Sequence, residues 1–147
     1  MKYLYKGYLL ACLILFSYGS YCQQKMQKKK DIYLICKNDN EFLGKPLHVL
    51  LDEINPLIKM VIVEGGWRER SPHISFFFMP RNEYQKCINM NKSPIRITVF
   101  LRDIFEWSME KRTKAYYWEW TNQDKENLGY NIVTLISVSG FYDQCDN

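Results

Sequence analysis

Apolar residues fall at two spacings along the chain, and each spacing predicts a different element. In the seven residues from Ile95 to Leu101, Ile95, Ile97, Val99 and Leu101 point one way at period two. Arg96, Thr98 and Phe100 point the other way, and the β-branched content favours a strand. The Phe-rich run from His73 to Met79, closed by Pro80, is its expected neighbour in a sheet. A further strand is predicted from Ile58 to Val63. The segment Glu64 to Pro72 that follows holds Gly65 and Gly66, so these two runs are expected to pair as an antiparallel hairpin with a long tip. Ile132 to Val138, stopped by Gly140, reads as the last strand. Ile32 to Cys36 reads as the first, and Tyr116 to Trp120, with aromatics at alternate positions, as another.

The second spacing is helical. Leu47, Leu50, Leu51 and Ile54 form one stripe after Pro46 and before Asn55-Pro56. His48 and Asp52, four residues apart, share the opposite side. Asn82 with Gln85 signals a helix start, with Tyr84, Cys87 and Ile88 as a short apolar face. Asp103 and Glu106 predict a helix through about Lys111, and Thr121 with Asp124 predicts a short polar helix ending at Gly129. The order βαββαβαβαβ predicts a single α+β domain: a largely antiparallel sheet of five or six strands, with helices packed mainly on one face.

The first 22 residues have the three parts of a secretory signal peptide. A basic start (Lys2, Lys6) precedes an apolar stretch from Gly7 to Phe16 and a small, polar tail around Ser17, Gly19 and Ser20. That stretch of ten residues is well short of the roughly 20 that span a bilayer as a helix. Cleavage fits after Gly19 or after Cys22. Lipid attachment at Cys12 or Cys22 is the weaker alternative, because Cys12 would leave apolar residues at the new terminus and bulky Tyr21 precedes Cys22. The expected organisation is a signal peptide at 1–22, a flexible polar tether at 23–30 and one domain at 31–147, exported to a periplasm or secreted. Loss of Lys2 and Lys6 lowers the formal charge from +4 to +2. A near-neutral domain offers no nucleic-acid footprint. Cys36, Cys87 and Cys145 remain after either cut, and an oxidising compartment allows a disulfide among them, with Cys36 and Cys87 equally readable as buried thiols.

No glycine-rich nucleotide loop, nucleophile elbow or zinc-protease motif occurs. The only histidines are His48 and His73. A metal site would need both with Asp52 or Glu53; a solvated helix face and a strand mouth explain them more simply, so no metal and no cofactor is expected. Glu106, Glu110, Glu119 and Asp124 lie near Trp107, Trp118 and Trp120, which gives an alternative function: carbohydrate binding or glycoside hydrolysis by paired carboxylates. Tyr116, Trp118 and Trp120 would then line one aromatic face. The leading expectation is a noncatalytic binding or inhibitory domain that contacts a protein partner through the hairpin tip. Trp67, Arg68 and Arg70 there combine large area with directional donors.

Overall fold

The computed structural model describes residues 31–54, 57–64, 72–107, 112 and 117–140. Helix α1 (Ile32–Lys37) is followed by a 3₁₀ turn (Asp39–Glu41) and helix α2 (Leu47–Ile54). Strands β1 (Met60–Glu64) and β2 (His73–Phe77) precede helix α3 (Arg81–Asn89) and strand β3 (Arg96–Leu101). Helix α4 (Asn122–Leu128) and strand β4 (Val133–Ser139) complete the order. The strands form one antiparallel sheet in the order β1-β2-β3-β4.

That sheet corrects the expected count: it has four strands, not five or six. Ile32–Lys37 is a helix, with Ile32 and Ile35 buried three residues apart and Tyr33 and Cys36 exposed. A continuous apolar run of this length carries no period of its own, so the sequence could not separate helix from strand there. Within the aromatic run, residues 117 and 118 make a turn and 119 and 120 are irregular. The Val61 N–H donates to the Trp118 carbonyl at 2.8 Å, so this segment covers the outer edge of β1 without extending the sheet by a strand. The helix expected after Asp103 is also absent from the described residues 103–107; the remainder of that segment lies outside them. Phe105 and Trp107 pack against the core there, and Ile104 faces solvent.

The register separates the sheet into two faces. On the inner face Val61, Phe76, Ile97 and Val138 stand in one row, and Val63, Ile74, Val99 and Ile136 in the next. Helices α1, α2 and α4 cover these rows with Ile32, Ile35, Leu47, Leu50, Leu51, Ile54 and Leu128, all in one buried cluster. The expected stripe of α2 is therefore the centre of the helical layer. Burial of each such side chain stabilises the fold by about 1.5–3 kcal/mol relative to exposure. Helix α4 starts at a capping box: Thr121 accepts from the Asp124 N–H, and the Asp124 carboxylate accepts from the Thr121 N–H at 2.8 Å. Strand β4 ends at Gly140, whose positive φ of 91° and close approach to Pro94 exclude a side chain: an added Cβ would lie 2.3 Å from the Pro94 carbonyl oxygen.

Candidate functional site

The outer face of the same sheet carries different chemistry. Three rows cross all four strands: Met60, Phe77, Arg96 and Ser139; then Ile62, Ser75, Thr98 and Ser137; then Glu64, His73, Phe100 and Leu135. Alternation along each strand places them there, since the residues between them, Val61, Val63, Ile74, Phe76, Ile97, Val99, Ile136 and Val138, stand in the inner rows. Together with Tyr84 of α3, most of these residues line a groove of about 420 Å³. That volume lies within the range of small-ligand pockets.

The groove has a covered end and an open end, about 13 Å apart along β3. At the covered end Met60 and Phe77 are buried, and Tyr84 sets its ring edge-on to Phe77 at 5.0 Å. Arg96 is half-buried beside them, and its Nε donates to Ser139 Oγ at 3.0 Å. In the middle row the hydroxyls of Ser75 and Thr98 bond to each other at 2.9 Å. At the open end His73 Nε2 meets a Glu64 carboxylate oxygen at 2.9 Å, and the imidazole stacks on Phe100 with 4.9 Å between centroids. Leu135, 50% exposed, finishes this row on the edge strand.

The two histidines lie on opposite sides of the sheet. His73 belongs to the outer face, whereas His48 on α2 bonds through Nδ1 to the Gly129 carbonyl at 3.1 Å and meets Tyr130 edge-on. Asp52 is exposed, as expected of that side of α2, and pairs there with Lys125 of α4 at 2.6 Å. Glu53 is buried. Among the described residues, no group of three or more His, Cys, Asp or Glu side chains is placed to hold a metal ion.

The tryptophans are spread over different tasks. Trp120 sets its ring perpendicular to Phe76 at 5.0 Å, and Trp107 packs on the core beneath the Arg112 guanidinium at 4.5 Å. Trp118 is half-buried with Arg81 over its ring at 4.8 Å. Asp124 is buried, serves the capping box and pairs with Arg112. Glu106 and Glu119 are exposed. Tyr116, Glu110, Trp67, Arg68 and Arg70 lie outside the described residues, as does Cys145. Cys87 is buried and disulfide-bonded, and Cys36 is a free, exposed thiol, which excludes a bond between these two.

The sequence pattern places Arg96, Thr98 and Phe100 on one side of β3 without pointing to a role for them. The alternation was legible; the register that sets them beside Ser139, Ser137 and His73 was not. Among the described residues, no helix is long and apolar enough to cross a membrane. No protein-family model, curated protein or solved structure matches the chain, so its reading rests on the geometry of this groove.

Proposed function

We propose that the chain is an exported, noncatalytic binding domain that meets a protein partner at the open end of the outer sheet face and the adjoining β1–β2 hairpin tip. One observation carries this reading: the row Glu64, His73, Phe100 and Leu135 crosses all four strands on the face opposite helices α1, α2 and α4. It combines a stacked imidazole and aromatic ring with an exposed leucine and a charged rim, the mixture common at protein interfaces. Glu64 and His73 also flank, in the sequence, the segment that holds Trp67, Arg68 and Arg70. A four-stranded sheet that holds both ends of a connecting segment suits recognition. The disulfide at Cys87 supports an oxidising compartment.

The test compares partner recovery from the exported fraction of the source cell by three baits: wild type, Leu135→Ser and Tyr130→Ser. Tyr130 is 79% exposed on the helical side and serves as control. Wild type and Tyr130→Ser are expected to retain the same protein, and Leu135→Ser to lose it by tenfold or more. Equal recovery by all three sinks the reading.

A further inference from the structure

We infer that the covered end of the outer-face groove is a carboxylate-binding site seated on Arg96. The inference rests on the proposed partner-binding reading and names the chemical group that the partner presents. Arg96 projects from a central strand, half-buried, and its Nε is held by Ser139 on the edge strand. No carboxylate pairs with it among the described residues. Taking a guanidinium partly out of water without an anion is unfavourable, and a ligand that supplies the anion recovers that loss.

The surroundings select for one negative charge. Tyr84, Thr98, Ser137 and Ser139 line the same groove with hydroxyl-bearing side chains, and a hydroxyl that accepts from a guanidinium, as Ser139 does, keeps its own proton to donate to an oxyanion. The acid that lines the groove, Glu64, stands at the opposite end, engaged with His73. One cation matched to one anion favours a carboxylate over a phosphate, which would bring nearly two charges. The planar fork of arginine also fits the two oxygens of a carboxylate. Nε already points at Ser139, so the terminal nitrogens are the ones left to the ligand. The separation of about 13 Å between the two ends lets a partner that covers the Leu135 row reach Arg96 with an acidic side chain a few residues away.

The site is tested without the partner, so its failure is separable from failure of the interface itself. The amide and guanidine signals of ¹⁵N-labelled protein are followed by NMR as acetyl-Glu-amide, which carries one carboxylate, is added. Acetyl-Gln-amide and inorganic phosphate are added in parallel at matched ionic strength. The glutamate peptide is expected to give saturable shifts confined to Arg96, Thr98, Ser137, Ser139 and Tyr84, and the glutamine peptide none. Arg96→Gln should weaken the response at least tenfold, with Arg96→Lys recovering part of it. Ser137→Glu, at an exposed position that tolerates a polar side chain, should abolish it by supplying a competing carboxylate, and stands in if Arg96→Gln does not fold. Shifts that do not saturate, that spread over the whole surface, or that persist in both variants overturn the proposal. Saturation by phosphate at lower concentration than by the glutamate peptide overturns the choice of carboxylate.

Discussion

Strand β3 serves two faces that differ in almost every property. Ile97, Val99 and Leu101 point inward and are at most 3% exposed, while Arg96, Thr98 and Phe100 point outward and are half-buried. The inner set belongs to one buried apolar cluster with side chains from α1, α2, α4 and the neighbouring strands. The outer set meets a hydroxyl each for Arg96 and Thr98 and an imidazole for Phe100. On the proposed reading, stability and recognition are divided between alternate residues of one strand. An inward substitution should cost folding energy and an outward one should cost binding.

The comparison breaks first where the inner face is densest. Phe76→Ala removes a fully buried ring and its edge-on contact with Trp120, and should destabilise by about 3–5 kcal/mol in urea unfolding. A loss below about 1 kcal/mol would mean that the inner face is not the core of the fold. The helical layer behind that face gives the next effect. Asp124→Ala deletes half of the capping box and the carboxylate partner of Arg112, and should cost about 2–3 kcal/mol, short of a fully buried pair because both side chains keep some exposure. Circular dichroism and thermal unfolding of Asp124→Ala and Asp124→Asn measure it, and the amide variant should retain part of the capping contribution.

On the outer face the effects shrink. Thr98→Val leaves the Ser75 hydroxyl, 6% exposed, without its partner, and should cost about 1–2 kcal/mol. Replacing Ser75 with Ala as well should return part of that loss, which a double-mutant cycle reads directly. Leu135→Ser should change stability by no more than about 0.5 kcal/mol, because its side chain already meets water. A larger loss would move Leu135 from the recognition surface to the core.

Much of this division was legible in the sequence, and the remainder failed for identifiable reasons. The alternation in Ile95–Leu101, the stripe Leu47, Leu50, Leu51 and Ile54, and the Thr121–Asp124 capping signal each appear in the structure within a residue or two of the expected bounds. These patterns depend on one element and its period. The two misread strands depended on more. Ile32–Cys36 is too short and too uniformly apolar for its period to show. The alternation of Trp118 and Trp120 arises from packing along the β1 edge and onto Phe76, which a strand pattern imitates. The groove was hidden for another reason. Its rows join residues as far apart in sequence as Met60 and Ser139, and only register brings them into line.

The central claim is that the outer face binds while the inner face folds. It is tested most directly by photo-crosslinking in the exported fraction, with a benzophenone side chain placed either at Ser137 in the middle outer row or at Tyr130 on the helical side. The account predicts one dominant adduct at position 137, reduced by excess unlabelled wild-type protein, and no adduct of that mass at position 130. The same adduct at both positions, or a competable adduct at 130 alone, would contradict it.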